Sequence, residues 1–140
     1  MADQASEAVA QGVPDHGEFV WTEIASVNAE KCIDFYKNVF GWTFQESQAT
    51  QDGMDYREFC NGGSLPLGGL YQIDPAWFGG NPPPAHMLIY VAVDDVDESA
   101  RLAAELGGNV HKTMDIPNVG RMSIIQDPTG GMFATFKPNM

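Results

Sequence analysis

Carboxylates, phenols and one imidazole are the groups in this chain that could do chemistry, and the chain places them mostly on short extended segments. Glu23 could face a ligand cation or act as a base; its plainer reading is a strand-end carboxylate in solvent, which Ile24, pointing to the other side, disfavours. Glu58 and His86 could in principle join Glu23 around an ion, although His86 follows Pro82-Pro83-Pro84, where a surface histidine is the favoured reading. Trp21 could stack on a planar ligand or simply fill a core. Tyr56, Tyr71 and Tyr90 could donate hydrogen bonds to a ligand or pack with their hydroxyls satisfied. Arg121 could receive an anion, with an ordinary salt bridge as the better reading, and Asp127 in Asp127-Pro128-Thr129-Gly130 reads as a turn residue. No GxGxxG follows a strand, and there is no P-loop and no HExxH. Ser64, in Gly62-Gly63-Ser64-Leu65-Pro66, lacks the nucleophile-elbow pattern. Cys32 and Cys60 have no cysteine nearby, so two buried thiols are expected rather than a disulfide, metal or redox motif. The seven methionines are scattered and read as gap-fillers.

The elements that must position these groups are organised around Asn28 to Trp42. Ala29, Cys32, Phe35, Tyr36, Val39 and Phe40 recur at three- and four-residue spacing, which predicts a half-buried helix with an aromatic inner stripe. Asn28 can cap its start and Gly41 can take the left-handed turn at its end. Strands are expected at Glu18–Ala25, Trp42–Glu46, Met54–Cys60 and Leu67–Ile73; Gly68 and Gly69 inside the last predict a bulge or something packing close to the backbone. Residues 74–85, rich in Gly and Pro, read as a linker. A buried strand at 86–93 follows, then a second helix capped by Asp95, with Glu98 placed to complete a capping box and Val96, Ala100, Ala103 and Leu106 facing inward. Strands near 109–114, 121–126 and 132–137 close the chain. Setting Asn28 against Asp95 brings Gly41 onto Gly108 and Trp21 onto Leu88, so the chain reads as a duplicated strand–helix–three-strand unit.

A length of 140 residues, 44% hydrophobic and 11% aromatic, suits one compact domain with a proper core. Residues 1–17 read as a flexible tail, 18–73 as module one, 74–85 as the linker and 86–138 as module two. Seven Lys and Arg against nineteen Asp and Glu, a formal charge of −12, argue against nucleic acid or an anionic membrane as partner and leave a cationic ligand open. With no secretory leader and no membrane-length apolar run, the expected location is the cytoplasm.

The duplication resembles the glyoxalase / bleomycin-resistance / extradiol dioxygenase superfamily, the vicinal oxygen chelate fold. The residues that carry it are Asp34-Phe35-Tyr36-Lys37-Asn38-Val39-Phe40-Gly41-Trp42 in the first half. In the second half they are Val93-Asp94-Asp95-Val96, Leu106-Gly107-Gly108-Asn109-Val110, Ile116-Pro117 with Gly120-Arg121, and Asp127-Pro128-Thr129-Gly130. The resemblance covers about Glu18 to Pro138. It implies an α+β fold of two βαβββ modules forming a cupped mixed sheet with the helices on the convex side. In the family's metal enzymes, four His, Glu or Gln side chains hold an ion inside the cup, where it stabilises charge as a Lewis acid. Carried onto this chain, three of those positions fall on Trp21, Leu88 and Ala134. The fourth falls on Gly69, with Tyr71 next on the same side. Indole, isobutyl and methyl groups offer an ion no lone pair, so no metal and no cofactor are expected.

What the cup would hold instead follows from strand alternation. Trp21, Glu23, Tyr56, Glu58, Tyr71, His86, Leu88, Tyr90 and Ala134 are expected to line it, and Arg121 is the candidate anion contact. The expected function is metal-independent binding, by sequestration as in the resistance branch, of a small hydrophobic or aromatic molecule between the modules. One alternative is a lyase, isomerase or dioxygenase with an ion displaced onto Glu23, Glu58 and His86. Another is a non-catalytic interaction protein whose cup is filled by its own side chains. The resemblance also implies a homodimer, since family members often pair.

Overall fold

The computed structural model describes residues 14–47, 55–63 and 65–139. Most of the predicted tail, the Met54 start of the third strand and Ser64 lie outside the described residues. Module one runs β1 (Phe19–Ser26), α1 (Ala29–Phe40), β2 (Thr43–Glu46), β3 (Tyr56–Cys60) and β4 (Gly68–Gln72). After a 3-10 turn at Pro75–Phe78 come β5 (His86–Ala92), α2 (Val96–Glu105), β6 (Asn109–Ile116), β7 (Gly120–Gln126) and β8 (Met132–Pro138). The fold is α+β, and the element order of the first half recurs in the second. So does the strand order, β2-β3-β4-β1 in one half and β6-β7-β8-β5 in the other. In each half the first and last strands run parallel and the remaining pairs antiparallel. Among the described residues, those within Trp21–Leu88 form one compact unit, and residues 14–20 with 89–139 form the other.

Helix α1 forms where its caps allow. The Asn28 side chain accepts from the Lys31 N–H at 3.1 Å, and Gly41 takes the left-handed conformation (φ 72°) while its N–H bonds the Lys37 carbonyl. Its buried face is narrower than the sequence pattern indicates and rotated from it. Ala29 and Ile33 are buried with Cys32 and Tyr36 beside them, whereas Phe35, Val39 and Phe40 are each more than half exposed. The predicted stripe merged two rows. The row Ala29–Ile33–Tyr36 meets the sheet, and Phe35 and Val39, one turn apart, form a second row turned away from it.

Beneath the helix the core is Ile24, Phe59 and Leu70, extended by Trp42 and Phe44. Trp42 stacks on Phe59 at 4.6 Å and 16°, and Tyr36 stacks on Trp42 at 5.3 Å. Gly68 has no bulge around it. Register holds through Thr22↔Gly68 and Phe59↔Gly68, and a methyl group at Gly68 would overlap the Thr22 carbonyl and the Phe59 ring. Close packing, the second of the two expected reasons for glycine here, is the correct one.

The second unit follows the same plan with one shorter helix. Asp95 accepts from the Glu98 N–H at 3.0 Å, but the expected capping box is only half made, because the Glu98 carboxylate turns to Arg101 at 2.6 Å. Val96 is buried and Ala100 and Ala103 partly so, but Leu106 is 73% exposed. The helix ends at Glu105, so Leu106 leaves the stripe, and Gly107 (φ 96°) takes the left-handed turn that Gly41 takes in α1. The turn reading of Asp127 is correct: its Oδ1 accepts from the N–H groups of Thr129 and Gly131 and from the Thr129 hydroxyl. Those bonds, Thr129's first, hold its carboxyl below the usual carboxylate range.

Candidate functional site

One face of module one is taken by α1, and register dictates which side chains occupy the other. Ile24, Leu70 and Phe59 point to the helix, so alternation sends their neighbours away from it. Glu23, Gly69 and Glu58 are paired across β1, β4 and β3, and Ala25, Tyr71 and Tyr56 form the next row. Trp21 stands two residues before Glu23 on the same side. Five of the residues singled out from sequence, Trp21, Glu23, Tyr56, Glu58 and Tyr71, therefore share one helix-free face.

A hydrogen-bonded chain ties three of them together. The Trp21 indole N–H donates to the Tyr56 hydroxyl at 2.8 Å, and that hydroxyl donates to Glu23 Oε2 at 2.9 Å. Tyr56 belongs to β3 and its partners to β1, so its side chain must cross β4. It does so over Gly69, where an added methyl would coincide with the Tyr56 ring and hydroxyl. Glycine at this position is what lets a tyrosine lie flat across the strand and reach a carboxylate two strands away. Glu58 is held separately, accepting from the Ser47 hydroxyl at 2.9 Å.

Rings continue from this chain toward solvent. Tyr56 and Tyr71 lie 6.4 Å apart at 9°, and Tyr71 meets Trp77 at 6.1 Å and 42°. Trp77 is 48% exposed and comes from the 3-10 turn, whose start Asp74 caps by accepting from the Ala76 N–H. Sequence reasoning passed over Trp77 and Ser47. The signal for Trp77 was available in Asp74-Pro75, a cap followed by a proline at the first turn position, which shows that part of the supposed linker is built structure.

Burial, with the charge of Glu23 second, pushes the Tyr71 hydroxyl up from its ordinary value of 10 to about 12. Because the folded value is the higher one, the folded state holds the proton longer than the unfolded chain does. Stability is intact below about pH 10 and falls as pH rises toward 12. Absorbance near 295 nm should show a tyrosine step well above pH 10, toward 12. Tyr71→Phe should remove that step and flatten the loss of stability in the alkaline range; an unchanged titration curve would count against this assignment.

His86 is exposed, with Nδ1 2.8 Å from the Pro84 carbonyl oxygen, so that nitrogen carries the proton. Leu88 and Tyr90 are buried on β5, where Tyr90 pairs with Ala134 of β8 and meets Phe136 edge-on at 6.3 Å. Arg121 is not on the side of β7 and β8 that carries Ala134. Ala134 pairs with Ile124, whereas Arg121 alternates to the opposite side. There it grips Asp97 at the start of α2 through two bonds, at 2.9 and 3.1 Å, and Asp115 at 2.9 Å. These pairings make it the salt-bridged residue that the plainer reading expected. Among the described residues, no three His, Cys, Asp or Glu side chains gather as an ion would require. No helix among them is long and apolar enough to cross a membrane.

Residues 18–135 match the family profile described as the Glyoxalase/Bleomycin resistance protein/Dioxygenase superfamily. Over 127 residues, 90% of this chain, the sequence is 35% identical to CFP32 of Mycobacterium tuberculosis, which carries the name glyoxylase provisionally. It is 31% identical over 130 residues to the anthracycline biosynthesis protein DnrV of Streptomyces peucetius. The chain spans about half the length of these relatives, 46% and 47% respectively. Among solved structures, methylmalonyl-CoA epimerase from M. tuberculosis superposes with a TM-score of 0.59 at 15% identity, over 94% of this chain and 96% of that one. Homoprotocatechuate 2,3-dioxygenase from Brevibacterium fuscum superposes with a TM-score of 0.61 at 17% identity, over 91% of this chain and 38% of that one. At such identities the two superpositions speak for the fold alone.

Proposed function

The chain belongs to the Glyoxalase/Bleomycin resistance protein/Dioxygenase superfamily, and from that premise we propose that it binds a small aromatic or hydrophobic molecule without the help of a metal ion. The observation that carries this reading is the helix-free face of module one, where Tyr56 lies across Gly69 and joins Trp21 to Glu23 beside the rings of Tyr71 and Trp77. Flat apolar area with a few oriented polar groups is what a small planar ligand requires. Two curated relatives take their names from anthracycline biosynthesis, and a polycyclic ligand would suit such a face.

At the positions that the resemblance assigns to the ion, Trp21, Leu88, Ala134 and Gly69 with Tyr71 next to it, the groups present fit an ion poorly. The Trp21 nitrogen is a donor only and already donates to Tyr56. Gly69 has no side chain and is covered by Tyr56, and Leu88 and Ala134 are buried aliphatic residues. This supports binding over Lewis-acid catalysis. A homodimer in the cytoplasm completes the proposal; both Cys32 and Cys60 are free thiols, as a reducing compartment favours.

Native mass spectrometry of the unheated protein reads ligand, metal and subunit number together. The expected spectrum is a dimer that releases a small organic molecule and carries no stoichiometric transition metal. Stoichiometric zinc, nickel or iron that Glu23→Ala or His86→Ala removes would replace this reading with a lyase, isomerase or dioxygenase. Failure of every apolar dye to bind would leave an interaction protein whose face is filled by its own side chains.

A further inference from the structure

Tyr56, Tyr71 and Trp77 form a short tier of rings with a carboxylate at its inner end. The Glu23 carboxylate is anchored there by the Tyr56 hydroxyl at 2.9 Å, and the outer end is the half-exposed indole of Trp77. Among the described residues of module one, no lysine or arginine is placed on this face. Between Trp21 and Leu88 the basic residues are Lys31, Lys37 and Arg57; the two lysines lie on α1, and Arg57 is turned to the helix side, where it holds Glu30 at 2.6 Å. Aromatic faces carry negative quadrupole charge and attract cations, more strongly where water is excluded. A carboxylate close to those faces adds full charge of the same sign. A neutral aromatic ligand would make use of the rings alone.

We propose that the molecule bound on this face carries a cationic nitrogen, an amine or quaternary ammonium next to a planar ring system, seated between the Glu23 carboxylate and the rings of Tyr71 and Trp77. This deepens the binding function proposed above and rests on it. Two further features agree. Tyr71 stays protonated through the physiological range, its hydroxyl pushed up to about 12 by burial and by Glu23, so the ring next to the cation site remains a neutral donor. The formal charge of −12 would steer a cation toward the protein at low salt, although it does not single out this face.

The test uses two probes of the same shape, trimethylphenylammonium and tert-butylbenzene, titrated into the full chain by calorimetry in 150 mM salt. The cation is expected to bind about tenfold more tightly than its neutral isostere. Glu23→Gln should abolish most of that preference, weakening the cation far more than the neutral probe. Trp77→Leu, a change at a half-exposed position that keeps apolar area and removes the indole face, should weaken both probes, the cation by a few-fold more than the neutral one. Equal affinities for the two probes in the unaltered protein would overturn the cation inference and leave the binding function standing. A preference that survives both substitutions would overturn it too, since the charge would then be read elsewhere on the acidic surface. If neither probe binds, the binding function itself fails.

Discussion

Replacing Phe59 with alanine is expected to lower the stability of the fold by about 3–5 kcal/mol. The ring is 2% exposed and lies between Ile24, Ile33 and Leu70 on one side and the aromatic pair Trp42 and Phe44 on the other. Its tip reaches over Gly68, where the Thr22 carbonyl leaves no room for a compensating side chain. The surrounding strands are held in register and cannot close over the lost volume, so the cavity term adds to the transfer term. Urea unfolding followed by tryptophan emission measures the loss. Phe35→Ala, at a position 59% exposed, is the control and should stay within about 0.5 kcal/mol of the parent. A Phe59→Ala loss no larger than the control's would show that the aromatic cluster is not the core of module one.

Gly69→Ala is expected to disable the candidate site while leaving most of the fold intact. A methyl group there occupies the place of the Tyr56 ring and hydroxyl, and Tyr56 is the far end of a side chain, so it is Tyr56 that moves. Its departure removes the donor to Glu23 and the acceptor for Trp21 together. Overpacking and the lost bond to a charged group should cost about 1–3 kcal/mol. Affinity for a planar aromatic probe should fall at least about tenfold, that being the effect of about 1.4 kcal/mol on binding. Because the cost arises from Tyr56, it should largely vanish in a Tyr56→Ala background, giving a non-additivity of at least about 1 kcal/mol between the two changes. Strict additivity would mean that glycine is needed at position 69 for the strand itself and not for the tyrosine above it.

Much of this architecture was legible because local rules act over short distances. Asn28 and Gly41 delimit α1 by their own backbone and side-chain chemistry, whatever lies around them, and Asp95 starts α2 in the same way. The offset that sets Trp21 against Leu88 also sets Glu23 against Tyr90. In the structure both lie on the first strand of their module and pair in parallel with its last strand, Glu23 with Gly69 and Tyr90 with Ala134. Alternation along β1, β3 and β4 was enough to bring five named residues to one face.

What the chain could not reveal by itself was set by contacts between residues distant in sequence. Periodicity assigned Phe35 and Val39 to the core because it reports which residues share a helical face, not how the helix is rotated against its sheet; packing on Ile24 and Leu70 determined that. Arg121 was a candidate anion contact because its residue type can receive an anion, and two aspartates, Asp97 and Asp115, hold it on the side of β7 opposite Ile124. Gly69 looked like a lost ligand position. Only the tertiary structure brings Tyr56 over it from β3, because a hydrogen bond spanning 33 residues from Tyr56 to Glu23 leaves no trace in local spacing. Trp77, hidden in a Pro- and Gly-rich stretch, joined the site for the same reason.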